Sequence, residues 1–408
     1  MWGCKKTIGI AGDEDSMKHS QYQQDNKNPS LTHLFISFLR LGATSFGGPA
    51  MVAYIRKMAV EQKQWLDEES FRYGVALCQT IPGATAMQTS AYVGLRARGV
   101  AGALVSFVGF GLPAFIIMMA LSDLYVRTYS LPAVVSAFNG LQAIIVAIVA
   151  NATLSFGMTY LKKWRDIIIA IAAASMFGLG VNPIMVILLA ALLGIVLYNR
   201  QTLPQQTSDS ASKSSFTRPV LLILSAAAIG FVILFFVHRG LFDLAILMFR
   251  IDLFAFGGGF ASVPIMFHEI VEVRSWMDGL TFLNGIALGQ VTPGPVVITA
   301  TFIGYLLYGP VGGVIATISV FLPSFLIVVG IAPYFDKLRT SPYFNKAIGG
   351  ILCSFVGLLL SVTIRFALNI PWDFPRIILT SAAFVALILK VDILWVVLIG
   401  TVISVVIL

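Results

Sequence analysis

The chain has 408 residues, 58% of them hydrophobic and only 11% charged, with a mean hydropathy of +0.88. Soluble domains carry about 25% charged residues, so this composition excludes disorder, fibres, nucleic-acid modules and ordinary soluble enzymes. It leaves an all-α polytopic membrane protein, in which the net charge of +8 reads as Lys and Arg of cytoplasmic loops.

Residues 1–30 are polar and hold no apolar run, which marks a cytoplasmic tail rather than a signal peptide. Apolar stretches follow at 34–56, 72–94, 100–121, 132–160, 167–180 and 183–198. A Ser-, Gln- and Thr-rich stretch at 199–218 has the composition of a flexible cytoplasmic linker. Beyond it lie 219–237, an extra transmembrane helix, and then 244–266, 281–304, 311–332, 343–368, 376–389 and 391–408. At about 20 residues per crossing, these make about thirteen transmembrane segments. They fall into two blocks, 31–198 and 244–408. Cys4, Cys78 and Cys353 are too scattered for a disulfide framework or a zinc site.

The second block repeats the first. A shift of 210 sets Arg40 on Arg250 and Phe46-Gly-Gly on Phe256-Gly-Gly. With one inserted residue, Trp65 meets Trp276, Asp67 meets Asp278, Gln79 meets Gln290 and Pro82-Gly83 meets Pro293-Gly294. Chance likeness between apolar segments would not keep Arg, Trp, Asp, Gln and Pro in register. With six segments per block and one between, the second block would be upside down, an inverted-topology repeat. Leaving aside Arg40 and Arg250, this threading puts seventeen Lys and Arg inside. Eight lie outside: Arg56, Lys57, Lys63, Arg72, Arg127, Arg239, Arg365 and Arg376. The stretch 56–72 is the misfit, although Glu61, Asp67, Glu68 and Glu69 balance its charge.

Phe46-Gly47-Gly48-Pro49 and Phe256-Gly257-Gly258-Gly259 interrupt hydrophobic segments, as do Ile81-Pro82-Gly83-Ala84 and Thr292-Pro293-Gly294-Pro295. Glycine pairs weaken a helix, and proline removes a donor. Each motif reads as a broken helix, with Pro49 and Pro295 suited to start a second half. Half-helix N-termini at mid-membrane would offer N–H groups and positive dipole ends to an anion. Close packing or kinking is the plainer use of the same residues. Arg40 and Arg250, costly inside a bilayer, present planar forks of donors suited to an oxyanion dianion; the alternative is snorkelling or pairing with an acid. Gln79 and Gln290 could donate to a substrate or cap the broken backbone. Ser45 is a further candidate. Asp252 is either the counter-ion of Arg250 or a coupling acid. No metal or cofactor motif is evident, and without a phosphate loop transport would be gradient-driven.

These motifs, in this order and duplicated, resemble the chromate ion transporter family in its long-chain, two-domain form. The resemblance covers 34–198 and 244–408. It implies a multi-pass protein of the cytoplasmic membrane that exports chromate and confers resistance, and not an enzyme. The expected partners are chromate, with sulfate as a related oxyanion, the lipid bilayer and a second copy in a homodimer, with no nucleic acid. A sulfate-type importer and an intramembrane enzyme or complex subunit are the rival readings. Gly259 stands in place of Pro49 and Ala84 in place of Pro295, so the two halves are not equivalent.

Overall fold

The computed structural model describes residues 29–46, 50–198 and 217–407. The calls on Gly47, Gly48 and Pro49, on most of the tail and on most of the linker lie outside them. Among the described residues the fold is helical, with no strand. Among the described residues, five helices are long and apolar enough to cross a membrane: Thr85–Thr128, Pro132–Tyr160, Val220–Val237, Val296–Tyr334 and Pro342–Asn369. The chain is a multi-pass membrane protein.

The duplication recurs helix by helix. The first repeat runs α1 (Leu31–Thr44), α2 (Ala50–Arg56, continued as a π-helix Lys57–Gln62) and α3 (Glu68–Thr80). The long helix Thr85–Thr128 has non-helical torsions at Arg98 and Gly99 (φ 64°, ψ −155°), which divide it into α4 (85–97) and α5 (100–128). Then come α6 (Pro132–Tyr160), α7 (Trp164–Gly178) and α8 (Pro183–Leu197). After α9 (Thr217–Val237), the second repeat gives α10 (Arg239–Leu253) and α11 (Ser262–Phe267, with the π-helix His268–Val273). It continues with α12 (Gly279–Val291), α13 (299–307) and α14 (310–331), the last two divided at Tyr308 and Gly309 (φ 61°, ψ −155°). A short α15 (Phe335–Arg339) precedes α16 (Pro342–Asn369), α17 (Phe374–Ile388) and α18 (Ile393–Ile407). Asp67 and Asp278 start α3 and α12 by accepting the Ser70 and Thr281 N–H groups, a cap worth about 1 kcal/mol. Ser70 also holds the Asp67 carboxyl below the usual carboxylate range.

Neither of the apolar stretches 34–56 and 72–94 is one continuous helix. In each, two half-length helices fold back on one another. A Cβ on Gly74 of α3 would stand 2.1 Å from the Tyr92 ring of α4, and Trp65, past the end of α2, meets His33 at the start of α1 (ring centroids 5.6 Å). The second repeat does the same, Gly285 against Phe302 and Arg250 against Glu269. Hydropathy measures apolar length but not direction, and a broken helix is free to reverse at its break. The chain also reverses at Gly99: a Cβ on Gly94 would lie 2.2 Å from the Gly102 carbonyl, whereas residues eight apart on a straight helix are about 12 Å apart.

The two repeats interlock. Gly83 N–H donates to the Ala255 carbonyl (2.9 Å) and Gly294 N–H to the Ser45 carbonyl (3.2 Å), two bonds exchanged by the repeat relation. Thr153 of α6 bonds its own repeat partner, Thr363 of α16, at 3.2 Å. Seven residues beyond Thr153, the Tyr160 carbonyl accepts from Cys353, ten residues before Thr363, so α6 and α16 are antiparallel. Each carries the other repeat's final pair: Gly357 and Gly350 of α16 press on the Ala170 and Ala190 carbonyls of α7 and α8, and Gly140 of α6 on Ser404 of α18.

Candidate functional site

The breaks at 81–84, 254–258 and 292–295 meet at the centre of this interlock with Ser45 at the end of α1, and a cavity of about 680 Å³ opens beside them. Its floor is backbone: Gly257, Gly258 and Gly259, then Pro295 and Val296, then Thr85 and Ala86. Gly257 and Gly258 have φ of 93° and 98°, left-handed values that glycine adopts without a Cβ penalty. Other elements come within contact distance of them. A Cβ on Gly258 would lie 3.4 Å from Thr85 Oγ1, and one on Gly259 would lie 3.5 Å from the Val296 nitrogen. The N-termini of α4 and of the turn leading into α13 therefore converge on one place.

The walls are Met51, Val52 and Ala53 of α2, Gln79 of α3, and Ser155, Phe156, Thr159 and Tyr160 of α6. Arg56 and Arg72 add two cations. Arg56 is held by Glu61 at 2.7 Å and Glu68 at 2.8 Å; Arg72 makes no ion pair among the described residues. Trp65, Asp67 and Arg96 line a separate cleft.

Repeat symmetry supplies the comparison. Arg56, Phe71, Arg72 and Phe156 correspond to Phe267, Phe282, Leu283 and Phe366, which are at most 2% exposed. Phe267, Phe282 and Phe366 stack with centroids 5.2–6.2 Å apart. One face of the pseudo-symmetric centre is open and carries two arginines, and the equivalent place on the other is filled with aromatic rings.

Of the residues singled out in the sequence, Gln79, Gly257, Gly258, Gly259 and Pro295 line the cavity. Pro82, Gly83, Pro293 and Gly294 form the breaks behind it. Ser45 Oγ and Gln290 Nε2, beside those breaks, are buried without a hydrogen-bond partner among the described residues. Arg40 and Arg250 are not among the lining residues; Arg40 is exposed, and Arg250 stands 3.7 Å from Glu269. Asp252 is fully buried and engages Ser324 rather than Arg250. Arg56 and Arg72 did not stand out in the sequence because each lacks a charged repeat partner. The signal was the acid-balanced misfit at 56–72.

A model of chromate transporters matches this chain twice, over residues 32–195 and 242–405. An uncharacterized transporter of Methanocaldococcus jannaschii is 43% identical over 93% of this chain and 95% of its own. Chromate transport proteins of Cupriavidus metallidurans and Pseudomonas aeruginosa are each 30% identical over 88% of this chain, and over 88% and 86% of theirs. No solved structure matches significantly. Two matched copies covering most of the chain, on a duplicated fold whose breaks meet at one cavity, place this protein in the chromate transporter family.

Proposed function

We propose that the protein is a secondary transporter that carries chromate, a tetrahedral dianion, outward across the cytoplasmic membrane. The cavity is the observation that carries this reading. Converging half-helix N-termini supply N–H donors and positive dipole ends, bare glycines admit an oxyanion against the backbone, and Arg56 and Arg72 supply charge. The transport of chromate named for the relatives fits such a site, and sulfate shares its shape and charge. Labelled chromate and sulfate accumulation should be compared in one strain with and without the gene. Lower chromate accumulation with the gene is expected; higher accumulation of either anion would make the protein an importer.

Inverted repeats are part of the proposal. A two-fold axis along the membrane normal leaves equivalent crossings parallel, while one in the membrane plane makes them antiparallel, as α6 and α16 are. With the half-helix pairs returning to their own face, the crossings are α5, α6, α7, α8, α9, α14, α16, α17 and α18, nine in all. The misfit then dissolves. Arg56, Lys57, Lys63 and Arg72 join the basic face and Arg274 leaves it, so seventeen against eight becomes twenty against five. By the positive-inside rule the cavity opens to the cytoplasm, and the Phe267, Phe282 and Phe366 stack closes the outer side.

Single cysteines test this. In intact cells an impermeant thiol reagent should reach Tyr129→Cys and Trp372→Cys. Lys63→Cys, Arg98→Cys and Lys163→Cys should react only after permeabilisation. Labelling of Lys63→Cys from outside would refute the turned-back hairpins. Arg40, exposed and off the cavity lining, should tolerate Gln within about twofold of normal transport, the scale of surface changes within about 0.5 kcal/mol. A loss of tenfold or more would put it on the anion's route.

A further inference from the structure

Asp252 lies at the last turn of α10, where the first repeat has Gly42. It is 0% exposed. Its Oδ2 accepts from Ser324 twice, from N–H at 2.9 Å and from Oγ–H at 2.7 Å. Its Oδ1 is buried with no partner among the described residues. Ser324 Oγ in turn accepts the Ala84 N–H at 2.9 Å, and Ala84 is the N-cap of α4. The next two residues, Thr85 and Ala86, line the cavity. A three-member chain therefore runs from a buried carboxyl through one hydroxyl to the helix end that faces the anion. The equivalent of Ser324 is Ala114, so only one side of the pseudo-symmetric centre has this arrangement.

Among the described residues, the Asp252 carboxyl makes its hydrogen bonds only with Ser324 on α14, and behind Ser324 stand the uncharged Gly83–Ala84 break and Gln88 on α4, whose amide bonds the Pro82 carbonyl. On its own helix, Arg250 is engaged by Glu269. An ionised carboxylate without a counter-charge is costly to bury, and its negative charge would oppose a dianion at the end of α4.

We infer that Asp252 takes up one proton together with the anion, so that the protein moves one proton with each dianion. The step is an acid–base exchange with water: the carboxylate binds a proton as the anion binds and releases it on the far side. Net transfer is one negative charge, which an inside-negative potential still drives outward. The inference rests on the transport reading above.

The test uses the purified full-length chain in liposomes at a fixed membrane potential, with chromate and separately sulfate, which stays a dianion across neutral pH. For the wild type, the steady-state anion ratio should change about tenfold for each unit of pH difference. Asp252→Asn should still carry anion, with a ratio independent of the pH difference. A wild-type ratio indifferent to pH, or an Asp252→Asn ratio that keeps the tenfold dependence, would overturn the inference. If Asp252→Asn does not reach the membrane, Ser324→Ala decides. It should keep the tenfold ratio but move the pH profile of the rate to higher pH, because the carboxylate loses a hydrogen-bond donor. An unmoved profile would overturn the inference. No flux of either anion by the wild type would instead remove the transport reading, and this inference with it.

Discussion

Arg72→Gln should transport chromate about tenfold or more below the wild type while reaching the membrane at normal level. Hydrogen bonds to charged groups contribute about 1.5–3 kcal/mol, and about 1.4 kcal/mol is a factor of ten. Arg72 lines the cavity without an ion pair among the described residues, so its guanidinium is available to an incoming anion. Arg72→Lys should recover part of the activity, since it keeps the charge and loses the planar fork. Arg56 is already shared by Glu61 and Glu68 and must exchange carboxylates for the anion, so Arg56→Gln should cost less than Arg72→Gln. Concentration-dependent efflux, corrected for protein level, checks the order. Equal and near-normal transport by both would leave the anion to the backbone alone.

The second large effect is expected at Gly83. Its φ is 118° and an added Cβ would stand 2.2 Å from Ser324 Oγ, against the hydroxyl that joins Asp252 to Ala84. A strained backbone costs about 1–3 kcal/mol, and overpacking adds about 1–3 kcal/mol. Gly83→Ala should therefore lower the melting temperature in detergent and abolish most transport. Gly99 provides the control. It is also left-handed, with φ 64°, but nothing lies within 4 Å of an added Cβ, so Gly99→Ala should cost only the backbone part. If both variants melt alike, crowding at the crossing of the breaks is not what matters there.

The duplication and the four breaks were legible because each needs residue types that an apolar background does not supply by chance. Arg, Trp, Asp, Gln and Pro kept their register, and Gly-Gly or Pro-Gly in mid-segment cannot continue a regular helix. The helix starts at Asp67 and Asp278 were legible for the same local reason. What the pattern could not contain was direction. A stretch such as 34–56 has the apolar length of one crossing whether its halves continue or fold back. Only contacts distant in sequence, such as Trp65 with His33 or Gly74 with Tyr92, distinguish the two. That ambiguity sets Arg56 and Arg72 on the outer face in the charge count, whereas the proposed hairpins put them on the basic face. Symmetry pointed to Arg40 and Arg250, whereas the cavity draws its cations from one repeat only. The partner of Asp252 was equally out of reach, since Ser324 lies on another helix and joins it only through the fold.

The most direct test of an anion path through the crossing of the breaks is chromate flux from liposomes containing the purified protein, with a lumen-negative potential imposed. Saturable efflux is expected, slowed by sulfate and reduced about tenfold or more in Arg72→Gln. Folded protein that releases chromate no faster than protein-free liposomes would contradict it.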